Sequence, residues 1–157
     1  MIPKFSTFFS IRHIAGKKVH YHCKIPKGYN HIKIDSAGND GVFRKNYGEN
    51  ESVISLKSRR KTIDIGERKS IFLTPQSDDV EIALVGEGRY FVNEVEFYYL
   101  KATKHIRDKF DIRMILFLHR HNDYHIEIMC SAKTGIFEEN VEEYFDFIDT
   151  IEIHEKG

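Results

Sequence analysis

The longest run of consecutive apolar residues is MILFL, Met114–Leu118, within the segment DIRMILFLHRHNDYHIEIMCSA. Apolar residues at successive positions are typical of a strand covered on both faces. HIEIMC, His125–Cys130, continues beyond a polar break and has the pattern of a partner strand. Asn122 and Asp123 tolerate left-handed backbone and suit the centre of a two-residue turn. We therefore predict an antiparallel hairpin with its tip at Asn122 and Asp123.

Alternation of apolar and polar residues predicts strands elsewhere. KKVHYHCKIP, residues 17–26, alternates and ends in a turn at Pro26–Gly28. HIKID and ESVISLKS are predicted as shorter strands. TPQSDDVEIALVG combines helix-start residues with a strand alternation, and we favour the strand. RYFVNEVEFYYLKATK predicts either two strands that meet at Asn93 and Glu94 or one long strand. Whether the middle segment, Val42–Leu84, also contains a helix is left open by the pattern.

The C-terminal segment GIFEENVEEYFDFIDTIEI has helical periodicity. Apolar residues form a stripe along one side of the helix, and acidic residues occupy its other sides. This pattern is typical of an amphipathic helix lying on a sheet. The stripe consists of Phe137, Val141, Tyr144, Phe145 and Ile148. Residues Thr150–His154 are predicted as a closing strand. If Phe145 is buried in this way, its replacement by alanine costs about 3–5 kcal/mol.

These elements predict an α+β fold: a single domain of residues 1–157 in which an antiparallel β-sheet packs against helices. We treat residues 1–16 as a candidate peripheral extension. A hydrophobic content of 41% with twelve Phe and eight Tyr is sufficient for a packed core. Cys23 and Cys130 occur among alternating apolar residues and are expected to be buried and unpaired. No apolar run approaches the length of a membrane span, and no secretory signal is visible. We expect a cytoplasmic protein, although removal of a leader or lipoprotein anchor is compatible with the sequence.

Charge is distributed unevenly along the chain, although the net charge is zero. Residues 1–74 contain 15 Lys and Arg against 6 Asp and Glu, whereas residues 75–157 contain 9 against 18. The halves therefore differ in sign, at +9 and −9, either because they attract each other or because a basic face binds an acidic partner. The candidate basic face comprises Lys57, Arg59, Arg60, Lys61, Arg68 and Lys69. The absence of net positive charge disfavours nucleic acid as a partner.

Three histidines near the predicted hairpin tip suggest a metal site. Side chains alternate between the two faces of a strand, however, and this alternation separates them. His119 and His121 share one face, whereas His125 lies on the other with Glu127. Zinc requires three or four ligands. A four-histidine site would need His20 and His22 of the first strand beside His119 and His121, and nothing in the sequence fixes that pairing. We therefore expect no tightly bound zinc and no cofactor.

Catalytic motifs do not occur in the chain. There is no glycine-rich phosphate loop, no H-E-x-x-H and no G-x-S-x-G, and GEG at Gly86–Gly88 lacks the remaining glycine of a nucleotide-binding fingerprint. The sequence accordingly favours a protein that is not an enzyme.

VHYHCKIPKGY, RMILFLHRHNDYHIEIMC and VEEYFDFIDTIEI together resemble the PsbP-like and Mog-like fold, small domains whose antiparallel sheet is covered by helices. The resemblance spans residues 18–154 and implies a protein that acts by binding, since most members do so. Our first hypothesis is an adaptor or chaperone-like protein, bacterial and monomeric or homodimeric, whose partner is another protein. An immunity protein that neutralises a cognate toxin and a metal-dependent hydrolase built on the histidine pairs are the alternatives.

Overall fold

The computed structural model describes residues 5–14, 19–32, 39–46 and 48–155. These residues contain ten strands and two helices. The helices are α1 (Ile65–Phe72) and α2 (Thr134–Ile148). The strands are β1 (Phe5–Ile14), β2 (Val19–Pro26), β3 (Asn30–Ile32), β4 (Gly41–Lys45), β5 (Ser52–Arg59), β6 (Val80–Val92), β7 (Val95–Ile106), β8 (Asp111–Arg120), β9 (His125–Lys133) and β10 (Glu152–Glu155). The predicted α+β class, with a C-terminal helix followed by a short strand, is confirmed.

The strands form two antiparallel sheets. Seven follow the order β3-β4-β5-β9-β8-β7-β6, and three follow the order β1-β2-β10. Within the larger sheet, β6 to β9 are joined as successive hairpins, and β5 pairs with β9 across a much longer stretch of sequence. In the smaller sheet, β1 pairs with β2. The sheet therefore includes most of residues 1–16, the candidate extension.

The predicted hairpin at Asn122 and Asp123 is confirmed. Arg120 is the partner of His125, and His119 is the partner of Ile126. Beyond the last pair, the N–H of His121 donates to the carbonyl of Tyr124 at 2.9 Å. This register closes the two-residue turn.

Both faces of the larger sheet are covered, as the MILFL run predicts. Ile115 and Phe117 belong to one apolar cluster, which also contains the buried residues of α2. Leu116 and Leu118 belong to a second cluster, which contains Phe72 of α1. Because neighbouring residues of a strand point to opposite faces, α1 and α2 lie on opposite sides of the sheet.

The buried side of α2 is broader than the predicted stripe. Phe137, Tyr144 and Ile148 are buried as expected. Phe147, which is not part of the predicted stripe, is also buried, whereas Phe145 is only half-buried. The reason is that α2 packs against β2 of the smaller sheet as well as against the larger sheet. A helix between two sheets buries more than one face.

A chain of buried hydroxyl groups links α2 to the larger sheet. Ser52 Oγ lies 2.7 Å from the Tyr29 hydroxyl and 2.6 Å from the Tyr144 hydroxyl, so each polar group has a partner. Cys23 and Cys130 are buried and free, as expected. Burial raises the pKa of the Cys23 thiol to about 12, which keeps it protonated and unreactive.

Between Val42 and Leu84, where the sequence leaves strand and helix open, the structure contains α1. Its sequence IGERKSIF has no apolar stripe, and Phe72 is its one buried residue. Its start is nevertheless encoded: Asp64 is the N-cap and accepts a hydrogen bond from the Glu67 N–H at 3.0 Å. The segment from Val80 is a strand, as favoured, and Asn93 adopts a positive φ of 56° at the β6–β7 turn. Neither helix of the described ranges is long and apolar enough to cross a membrane.

Candidate functional site

A groove lies between α1 and the β5–β9 pair, on the face of the sheet opposite α2. Its floor is set by the strand register, which places Lys57 beside Glu127 and Arg59 beside His125. The residues between β5 and α1 close one end. The groove is open to solvent and has a volume of about 310 Å³. It is lined by Lys57, Arg59, Lys61, Thr62, Ile63, Asp64, Glu67, Arg68, Ile71, His125 and Glu127.

Glu127 anchors the wall of this groove. Arg68 of α1 donates to Glu127 Oε1 through Nη2 at 2.8 Å and through Nε at 3.1 Å. His125 lies beside the same carboxylate, with Nε2 3.2 Å from Oε2, and its Nδ1 donates to the carbonyl of Lys61 at 2.7 Å. Burial alone would raise the pKa of Glu127, but hydrogen bonds from His125 and Arg68, with their electrostatic attraction, lower it to about 2. The carboxylate therefore fixes α1 against β9.

Four of the six predicted basic residues line the groove. They are Lys57, Arg59, Lys61 and Arg68. Arg60 is exposed outside the lining, and Lys69 forms an ion pair with Glu87 at 2.9 Å, away from the groove. Within the part of the chain that the structure describes, the ammonium groups of Lys57 and Lys61 have no carboxylate partner.

The lining also contains three carboxylates, so four cations face three anions. Two of these anions have internal partners: Asp64 caps α1, and Glu127 binds Arg68. Arg68 is in turn paired with Glu127, so Lys57 and Lys61 remain beside Glu67 as lining charges without an ion pair among the described residues. Ile71 adds an apolar contact surface at the end of α1, because its side chain is 62% exposed.

The acidic residues of α2 bind basic residues outside this groove. Glu143 pairs with Lys45 at 3.2 Å, and Glu138 pairs with Arg113 and with Lys101. Since the sheet separates α2 from α1, these acids are remote from the groove. Glu138 and Glu143 therefore do not neutralise the cations that line the groove.

The three histidines near the hairpin tip do not converge, in agreement with the parity argument. His119 packs near Phe97 and Tyr124, and His121 stacks on Tyr124 with ring centroids 4.6 Å apart. His125 lies on the other face, in the groove.

The four-histidine arrangement is not formed by the described strands. His20 and His22 lie on β2, whose neighbours are β1 and β10, whereas His119 lies on β8 of the other sheet. His22 instead meets Glu152 and His154 of β10, and the ligand atoms of these three residues lie within 4.8 Å of one another.

The fold as a whole is similar to those of several solved structures. The chain aligns with the solution structure of the cyanobacterial PsbP, CyanoP, from Synechocystis sp. PCC 6803 at a TM-score of 0.68 and 14% identity, over 85% of this chain and 86% of that one. The fold is PsbP-like. LpqN, which is involved in cell envelope biogenesis of Mycobacterium tuberculosis, aligns with this chain at a TM-score of 0.64 and 10% identity, over 94% of this chain and 90% of that one. The protein PA94 from Pseudomonas aeruginosa aligns at 0.55 and 8%, over 92% and 96%.

These alignments confirm the resemblance that the sequence suggested, at the level of the fold. No protein-family model matches the chain, and no curated protein matches it in sequence.

Several residues of interest could not be recognised from the sequence. The sequence places Glu127 on one face of the hairpin with His125 but does not indicate its partner, Arg68, which is 59 positions away. Glu152 and His154 lie in the predicted closing strand but were not considered as ligands. Their spacing of two, which matches that of His20 and His22, was the available signal.

Proposed function

We propose that this chain acts by binding another protein, as an adaptor or chaperone-like domain without catalytic activity, and that the groove between α1 and the β5–β9 pair receives an acidic segment of the partner. The observation that carries the proposal is the position of Lys57 and Lys61. Both ammonium groups line the groove without a carboxylate partner in the described ranges, on the face opposite the acidic helix α2.

The chemistry of the lining favours a protein partner over a nucleic acid. Ile71 offers exposed apolar surface next to the cations, and a peptide can cover both at once. Single-stranded nucleic acid would require exposed aromatic rings on which bases stack. The groove offers no such ring, since its one aromatic side chain is that of His125, which is 3% exposed. An immunity protein would use the same surface and differ only in its partner.

The test uses a fluorescent glutamate-rich peptide of about ten residues as the probe. We expect saturable binding that weakens as salt rises from about 50 to about 500 mM, because screening shortens the reach of the attraction. Amide resonances of residues 57–68 and 125–127 should shift in the labelled protein. The double variant Lys57→Glu and Lys61→Glu reverses both cations and should weaken binding by at least about tenfold. Each lost ion pair contributes up to about 1 kcal/mol, and the new carboxylates repel the peptide.

The matched control reverses two cations at the other end of the sheet, Lys104→Glu and Lys109→Glu. It makes the same change in net charge and should alter affinity by less than about twofold. Equal weakening by the two double variants would show attraction by net charge alone. Resonance shifts outside the groove, or tighter binding of an oligonucleotide of matched charge, would contradict the proposal.

A further inference from the structure

The smaller sheet brings three potential metal ligands together on β2 and β10. Glu152 is the register partner of His22, and His154 is the partner of His20. His22 Nε2 lies 2.6 Å from Glu152 Oε2, and His154 Nε2 lies 3.7 Å from the same oxygen. The rings of His22 and His154 stack with centroids 4.8 Å apart. The three side chains therefore share one face and point to one place.

We propose that His22, Glu152 and His154 bind a divalent transition-metal ion of the zinc class. Two imidazoles and one carboxylate are a ligand set that zinc accepts, with water in the fourth position. Ligand atoms around tetrahedral zinc are about 3.3 Å apart, given bonds of about 2.0–2.2 Å. The present separations require side-chain rotations that move these atoms by about 1 Å. This proposal replaces the expectation of no tightly bound zinc.

The ligands are accessible to an ion from solvent. The side chains of Glu152 and His154 are 55% and 52% exposed, and that of His22 is 14% exposed. His22 Nε2 and Glu152 Oε2 form a hydrogen bond. Metal binding would replace the proton shared by this pair.

The backbone register pairs His20 with His154, and His13 of β1 with His20. An ion held here ties β10, a four-residue strand at the end of the described chain, to β2.

The experiment is a zinc titration of the metal-stripped, untagged protein by calorimetry. We expect one equivalent bound with a dissociation constant below about 100 µM. The melting temperature should rise by about 5 °C at saturating zinc, because the ion binds the folded chain. His154→Ala and Glu152→Gln should each weaken binding by at least about tenfold.

The matched control is His105→Ala, which removes another surface histidine–carboxylate pair. His105 Nδ1 lies 2.5 Å from Asp111 Oδ1, but this pair offers two ligands rather than three. The variant should bind zinc as the parent does. Imidazole resonances of His22 and His154 in the unmodified protein should shift on adding zinc while that of His105 does not, which tests the site even if a variant fails to fold. Absence of binding, or full affinity in both ligand variants, would overturn the proposal.

Discussion

Replacing Glu127 by glutamine tests whether one carboxylate holds α1 against the sheet. The side chain is 12% exposed and faces the guanidinium of Arg68, which is 18% exposed, and the ring of His125, which is 3% exposed. Glutamine preserves the shape of the carboxylate but not its charge. Both partners would then remain in a poorly solvated place without their anion, which is the costly outcome for a buried ion pair.

The magnitude follows from the pKa of Glu127. Its displacement from 4.5 to about 2 means that the folded chain favours the ionised form by about 3 kcal/mol. Because glutamine resembles the protonated carboxyl group, Glu127→Gln should lower the free energy of unfolding at pH 7 by about 3 kcal/mol. The control, Glu139→Gln, changes an exposed residue of α2 and should stay within about 0.5 kcal/mol of the parent.

The sign of the pH dependence is fixed by the lowered pKa. The contribution of Glu127 is fully present above its unfolded value of about 4.5 and is lost as the pH falls towards about 2. Urea unfolding of parent and variant at several pH values should therefore show a difference that shrinks between about pH 5 and pH 2. A variant as stable as the parent at pH 7, or a difference that does not vary with pH, would refute the reasoning.

Four further substitutions test the packing and the cap of α1 by urea unfolding. Phe147→Ala should cost about 3–5 kcal/mol because the ring is fully buried, whereas Phe145→Ala on the same helix should cost about 1–3 kcal/mol because its ring is half-buried. Equal costs would contradict the orientation of α2. Ser52→Ala should cost about 1–3 kcal/mol, since it leaves two buried tyrosine hydroxyls without their shared partner. Asp64→Ala should cost about 1 kcal/mol and speed amide exchange in α1, and unchanged exchange at Glu67 would show that the cap is dispensable.

What could be predicted from sequence depended on the range of the interaction that fixes each element. The β8–β9 hairpin was predicted to the exact register, since an Asn-Asp turn and two alternating strands specify it locally. The helix α2 was predicted from its own periodicity. In contrast, α1 has no apolar stripe, and its docking depends on Arg68 reaching Glu127 across 59 positions. The meeting of His22 with Glu152 spans 130 positions and follows from the β2–β10 pairing, which no local pattern encodes.

The two proposed sites lie on separate parts of the fold, so each can fail without the other. The groove is formed by α1 and the β5–β9 pair of the larger sheet, whereas the histidine site is formed by the two strands β2 and β10 of the smaller sheet. On β2, Tyr21 and Cys23 are fully buried in the cluster that includes α2, and the intervening His22 lies on the opposite face of that strand. The core between the sheets therefore separates the metal ligands from the face that carries Lys57 and Lys61. Loss of zinc binding should leave the affinity for an acidic peptide intact, and reversal of the groove cations should leave zinc binding intact.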